Sequence, residues 1–292
     1  MDEYQHVNVR GARLAYREGG SGHGRGHVVL VHANLSDVRS WDAIFPLLAS
    51  KHHVVAYSRR YAWPNEPIPA HTGDPWEEQA EDLAELIKKL HLEPCHIVGN
   101  STGATLALLV AKKHPNLVAT LLLEEPPVVT VFLPNMPPAL LDTFSLLWRH
   151  PWAFLAVMRF GIFTIGPSFA AFKADRDEEG LQTFLRGVIG TEHYRALSDE
   201  RVEQARANVG PHKALACFSG LPRITEDDVR EIHTTAYLFT AEKTSGAQKV
   251  INRLLAMVMP HAEEIHLSKA SHFMHEDNPA VVAEAIDARV VG

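Results

Sequence analysis

The chain has 292 residues, 46% of them hydrophobic and 22% charged, which suits one or two globular domains and excludes a disordered chain. Gly and Pro number 18 each, near ordinary usage, so collagen-like and linker-rich architectures are excluded. The net charge is -7, and the densest basic spots are the pairs Arg59-Arg60, Lys88-Lys89 and Lys112-Lys113, so no basic stripe for nucleic acid exists.

The first third alternates strand and helix signals. Val7-Asn8-Val9, Gly11 and Arg13-Leu14-Ala15-Tyr16 read as a hairpin. A loop of Gly and His from Gly19 to His27 leads into Val28–Val31, a short apolar run of the buried-strand type. Ser36-Asp37 opens a predicted helix that runs through Leu48, with Trp41, Ile44, Phe45 and Leu48 at helical spacing. His53–Tyr57 is the next strand, and a Pro-rich loop from Trp63 to Pro75 follows. Asp74-Pro75 then starts a helix with Ala80, Leu83, Leu86, Ile87 and Leu90 on one face. Cys95–Val98 is a strand, Gly99–Gly103 a sharp turn, Ala104–His114 an apolar helix, and Leu117–Leu123 another strand. This alternation predicts a mostly parallel sheet with helices on both faces.

From about Val128 to Leu221 no strand signal survives. Helical, aromatic-rich patterns dominate, and Pro134, Pro137 and Pro138 mark their start. The alternation resumes with strand Thr235–Thr240, helix Ala247–Met259, strand Glu263–Leu267 and a last helix near Asn278-Pro279. The organisation is an α/β core over 1–127 and 222–292, with an all-helical cap over 128–221.

Cys95 and Cys217 lie outside any CxxC or metal-like spacing, which fits a reduced, cytoplasmic setting and no metal. The N-terminal Met1–His6 stretch is acidic and polar, unlike a secretory signal. No uninterrupted apolar run approaches the ~18 to 20 residues of a membrane span, so no membrane partner is expected.

Gly99-x-Ser101-x-Gly103 between a strand and a helix has the form of a nucleophile elbow. Flanking glycines relieve the clashes of a strained turn that lifts Ser101 from the carboxyl edge of the sheet. His272 follows the last strand, at the edge where a general base must stand, with His275 three residues on as its rival. Two carboxylates are candidates for the acid: Glu125, at the end of the strand after the elbow helix, and Glu242, in the turn after Tyr237–Thr240. Pro126 and Pro127 stiffen the exit from Glu125, which is the preferred assignment. Oxyanion donors fall at the Asn34 and Thr102 backbone N–H groups. His32 reads as a structural residue of the Asn34 loop, and His32, Leu35, Trp148, Trp152 and Phe160 are candidates for the substrate pocket.

Together, the elbow, the turn His32-Ala33-Asn34 and Ser271-His272 with Pro279 resemble the α/β-hydrolase superfamily over nearly the whole chain. Ala33 replaces the usual Gly of the oxyanion turn, and Thr244 stands where the usual acid would be. Glu125 is similar in place to the acid of the fungal zearalenone lactonases. The resemblance implies hydrolysis of an ester or lactone of a hydrophobic small molecule, with no cofactor, by a monomer or homodimer. Carbon–carbon bond hydrolysis and lyase chemistry use the same triad, and a ligand-binding protein with a vestigial site is the reading from another class. Epoxide and haloalkane hydrolases use an Asp nucleophile where this chain has Ser101.

Overall fold

A computed structural model describes residues 4–21, 26–133 and 139–290. Pro134, Pro137 and Pro138, residues 22–25 of the Gly/His loop and residues 1–3 lie outside the described residues.

β1 (Gln5–Val9) and β2 (Ala12–Gly19) form the expected hairpin. Its turn residues Arg10 and Gly11 have φ of 46° and 80°, the sign that a two-residue hairpin turn requires. β3 (His27–Val31), β4 (His53–Tyr57), β5 (Cys95–Asn100), β6 (Val118–Glu124), β7 (Ala236–Ala241) and β8 (Ala262–Leu267) complete one sheet. Its order is β1-β2-β4-β3-β5-β6-β7-β8, antiparallel at β1–β2 and β2–β4 and parallel elsewhere. The chain leaves β3 on one side to form β4 and returns on the other to form β5. The strand order therefore reverses between β3 and β5, and a crevice opens there at the carboxyl ends of the strands. Val31 pairs with Gly99 across that point, so the loop after β3 and the elbow after β5 emerge side by side.

The core helices divide between the two faces of the sheet. α2 (Trp76–Lys89), α3 (Thr102–Lys113) and α12 (Gly246–Val258) bury Leu83, Ile87, Leu108 and Leu255 on one side. α1 (Phe45–Ala49) and α14 (Pro279–Asp287) bury Leu48, Val282 and Ile286 on the other, with Trp41 and Ile44. The single helix expected over Ser36–Leu48 is not formed. A 3-10 turn covers Val38–Trp41, and α1 begins only at Phe45. The cause is Pro46, which lacks an N–H and clashes with the preceding turn, so it is tolerated in the first turn of a helix and not inside one.

Between β6 and β7 the described residues hold helices and turns but no strand. α4 (Leu140–Arg149), α5 (Pro151–Phe160), α6 (Gly166–Lys173), α7 (Asp177–Ile189), α8 (Thr191–Arg195), α9 (Asp199–Ala207) and α10 (Val209–Ala214) cover the carboxyl edge. α11 (Glu226–Arg230) precedes β7, and α13 (Met274–Asp277) precedes α14. The helical layer has its own apolar cluster of Phe172, Leu181, Leu185 and Val188, and Leu35 and Phe273 enter it from loops of the core. A π-helical turn over Gly161–Ile165 joins α5 to α6, so Pro151–Lys173 is one 23-residue helix, long and apolar enough by length and composition to cross a membrane.

Candidate active site

Ser101 has φ 51° and ψ −111°, a left-handed conformation that costs a non-glycine residue about 1–3 kcal/mol. Its neighbours explain why the turn can form. A Cβ at Gly99 would stand 2.6 Å from the Ala104 nitrogen, and one at Gly103 would stand 2.0 Å from the Val31 carbonyl oxygen. Both positions are therefore closed to any side chain. The Ser101 N–H donates to the Glu124 carbonyl at 2.7 Å, which ties the elbow to the end of β6. Thr102 opens α3, where backbone N–H groups have no intrahelical acceptor and can face a developing anion.

The loop after β3 is held from within. His32 is fully buried; its Nδ1 donates to the Ala33 carbonyl at 2.8 Å, and its Nε2 accepts from the Arg59 N–H at 2.9 Å. Those roles require the neutral ring, and burial, with the Arg59 charge beside it, pushes the pKa down to about 3. The Arg59 guanidinium is buried too. It donates to the Ala33 carbonyl at 3.1 Å, to Asn34 Oδ1 at 2.9 Å and to Gln79 Oε1. Asn34 is thus fixed by its side chain, which leaves its backbone to be aimed by the loop. Leu35 follows with φ 54°.

Glu125 is the second strained residue, with φ 50° directly before Pro126. Its buried carboxylate is fully engaged. Oε1 accepts from the Ala241 N–H at 2.9 Å, and Oε2 accepts from Thr244 Oγ1 at 2.8 Å and from His272 Nδ1 at 2.6 Å. With Nδ1 as donor, the other ring nitrogen, Nε2, is the basic one. Asn100, next to Ser101, donates from Nδ2 to the His272 carbonyl at 3.0 Å, which binds the elbow to the histidine loop. Glu242 lies elsewhere: it is exposed, and its carboxylate accepts from the Lys269 N–H at 2.8 Å.

His275 does not share this site. It meets Glu124 at 2.6 Å and stacks on Trp41 with ring centroids 4.0 Å apart. Burial alone would depress its pKa; the Glu124 charge and hydrogen bond outweigh that and lift it above the ordinary histidine value.

Of the pocket candidates, Leu35 and Phe160 share the apolar cluster of Phe172 and Phe273 over the site. Trp148 and Trp152 are not brought there. Trp148 is 90% exposed, and Trp152 lies on the outer surface under the Arg253 guanidinium, 5.4 Å from its ring centre. Spacing shows that a helix has an apolar face, but not which way that face turns. Among the described residues no group of three or more His, Cys, Asp or Glu is arranged to hold a metal ion.

Residues 28–285 match the Alpha/beta hydrolase family. The chain belongs to that family. It is 32% identical over 106 residues to a fluoroacetate dehalogenase from Burkholderia sp, a stretch covering 35% of this chain and 34% of that protein. The curated relatives it matches are covered over 34% to 43% of their length. In structure the chain is similar to the enol-lactonase from Burkholderia xenovorans LB400, with a TM-score of 0.71, 15% identity, and 97% and 98% of the two chains covered. It is also similar to Est816, an N-acyl homoserine lactone degrading enzyme, with a TM-score of 0.61, 19% identity, and 97% and 99% covered. At these identities the structural likeness shows the fold alone.

Several residues of this hydrolase-family site escaped the sequence reading. Thr244 had been noted as a departure, and here its hydroxyl holds Glu125. Arg201, on α9, is buried and bridges two loops: Nη1 donates to the Leu35 carbonyl at 3.1 Å, and Nε donates to Glu276 at 2.8 Å. Its guanidinium also covers the Phe273 ring, 4.3 Å from the centroid. No local pattern marks Arg201, because its partners are 75 and 166 residues away.

Proposed function

We propose that the chain is a serine hydrolase that cleaves an ester or lactone bond of a hydrophobic small molecule. The observation that carries this reading is the buried 2.6 Å Glu125–His272 contact beside a left-handed Ser101 at the same sheet edge. Ser101 Oγ attacks the carbonyl carbon while His272 Nε2 takes its proton. Glu125 holds the ring in the required tautomer and stabilises the imidazolium. The Asn34 and Thr102 N–H groups receive the oxyanion, where loss of one donor costs about 10² to 10³ in rate. The intermediate collapses, and the leaving alkoxide takes the proton from His272. In a lactone that new hydroxyl stays tethered to the acyl group. Water then attacks the acyl-enzyme, giving its proton to His272, and the acid is released as the proton returns to Ser101. The aromatic cluster over the site favours an apolar substrate.

The test is intact mass after exposure to a fluorophosphonate, followed by ester and lactone screening. A single adduct is expected on the wild type and none on Ser101→Ala. Glu125→Gln is expected to lower turnover by about 10⁴-fold, the loss typical of a triad acid replaced by its amide, while Glu242→Gln leaves it unchanged. Full turnover by Ser101→Ala would end the serine mechanism, and the reverse ranking of the two glutamates would move the acid.

A further inference from the structure

The helices Leu140–Arg149 and Pro151–Phe160 pack on each other as a hairpin, with the second continuing to Lys173. Their inward side packs on Gly246–Val258: Leu146 and Ala153, with the half-buried Phe154, Ala156 and Val157, meet Leu133, Val250 and Leu254. The outward side is apolar. Leu141, Phe144, Trp148, Leu155, Ile162 and Phe163 are each between 59% and 90% exposed. In the most apolar stretch of Pro151–Lys173 only 17% of the residues are buried. Monomeric proteins rarely leave contiguous apolar surface of this kind in water.

Charge decides what fits it. Residues 139–173 carry Arg149, Arg159 and Lys173 against one acid, Asp142, in a chain whose net charge is -7; Arg149 pairs with Glu226 at 3.7 Å, which leaves Arg159 and Lys173 for the face. The Arg159 guanidinium lies 5.7 Å from the Phe163 ring centre, and Arg253 flanks Trp152. Exposed aromatic and aliphatic side chains with arginine among them are the composition of a helix that lies in a lipid interface. A two-fold contact with a second copy would set these arginines against their own images, which disfavours that pairing.

We propose that this hairpin docks on an anionic lipid surface, lying in the interface rather than spanning it. The expectation of no membrane contact came from reading the apolar run as a string, which Arg159 interrupts. On the helix that interruption lies on the same exposed stripe as Leu155, Ile162 and Phe163, where its long stem lies along the apolar side chains and its charge reaches the lipid headgroups. The docked face also borders a cleft. A space of about 550 Å³ lies between Phe160, Phe163 and Arg159 on the hairpin and Ser245–Ala247 on the core. Ser245 directly follows Thr244, whose hydroxyl holds Glu125. The cleft thus adjoins the turn that holds Glu125, and the docking itself is independent of which reaction occurs there.

The test is sedimentation with extruded vesicles of phosphatidylglycerol and phosphatidylcholine, and with phosphatidylcholine alone. Light scattering gives the oligomeric state, and circular dichroism confirms the fold of each variant. The wild type is expected to pellet with the anionic vesicles, less with the neutral ones, and to be partly released by high salt. Phe144→Ser/Leu155→Ser is expected to lower the partition about tenfold with an unchanged circular dichroism spectrum. Arg159→Gln/Arg253→Gln is expected to remove the preference for anionic lipid. A wild type that stays in the supernatant overturns the proposal. So does equal partition of the serine variant, or a wild-type dimer that the serine substitutions split without any vesicle binding.

Discussion

Two parts of the helical cap treat the core beneath them in opposite ways. α9 and the residue after it are fastened down: Arg201 reaches Leu35 and Glu276, Gln204 donates to Asp37 Oδ1 at 3.0 Å, and Asn208 donates to Asp37 Oδ2 at 2.7 Å. Nearby, His193 on α8 meets Asp277 at 3.1 Å. These contacts fall on the loop after β3, which carries Asn34, and on α13, which directly follows the His272 loop. Among the described residues, the hairpin of α4 and α5 has no comparable polar fastening to these elements, and it shows apolar side chains to solvent. A cover over an active site must fix the reacting geometry and also admit a substrate. On the proposed function the two tasks fall to different helices, so substitutions in one half should leave the other task intact.

The largest expected effect is at Arg201. Arg201→Ala leaves the Leu35 carbonyl and Glu276 without their shared donor, and should slow fluorophosphonate inactivation about 10²-fold. Arg201→Lys should recover part of that rate, because it keeps the charge but loses the fork. In steady-state assays the loss should appear in kcat, with KM nearly unchanged. With kcat counted per active site titrated by the fluorophosphonate end-point, a pure loss of stability would instead lower only the active fraction and leave both constants intact.

Asn208→Ala should come next, costing about 1–3 kcal/mol, since it strips hydrogen bonds from the buried Asp37 carboxylate and from the Trp63 N–H. Chemical denaturation measures it, and the same substitution in the hairpin, Ser145→Ala, should be silent.

Acid should loosen the fastened half first. His212, on α10, is buried against the rings of Phe172 and Phe184, and burial, followed by the Arg59 charge, holds its pKa down to about 3. A histidine whose folded pKa is depressed contributes stability that is complete above its unfolded value near 6.5. That contribution is lost as pH falls from there toward 3. Melting temperature should therefore fall as the pH is lowered through that window, and His212→Phe should flatten the fall. An unchanged slope would assign the acid sensitivity to the other groups held at depressed pKa, among them His32, Asp37 and Asp277. The smallest effect is expected for Leu155→Ser in the hairpin, within about 0.5 kcal/mol of wild type by the same denaturation, because its side chain is exposed.

What the sequence disclosed divides along the same line. The elbow was legible because its requirement is local: only glycine fits at 99 and 103, and both glycines flank one serine. The parallel sheet was legible because each buried strand is a short apolar run. The end of β6 was only half legible. The alternation of a strand says that Glu124 and Glu125 diverge, but not that Glu125 meets His272 while Glu124 meets His275. The fastening by α9 was invisible, since a lone arginine on a polar helix carries no sign of its distant partners. The exposed tryptophans were misplaced for a related reason: hydrophobic spacing records that a face is apolar, and is silent on whether protein covers it.

The pair Glu124-Glu125 has a consequence for how the chain finds its register. Consecutive carboxylates at the end of one strand take two histidines from a single four-residue stretch, each at 2.6 Å. If β6 slipped by one residue during folding, each position would receive the wrong neighbour. At least one buried carboxylate and one buried imidazole would then be stranded, at a cost on the order of several kcal/mol per ion. Apolar strands tolerate near-misses in alignment, because one valine replaces another at little cost. This doublet acts as a checksum on the alignment, and it rejects such errors at the strand end where the reacting groups are assembled.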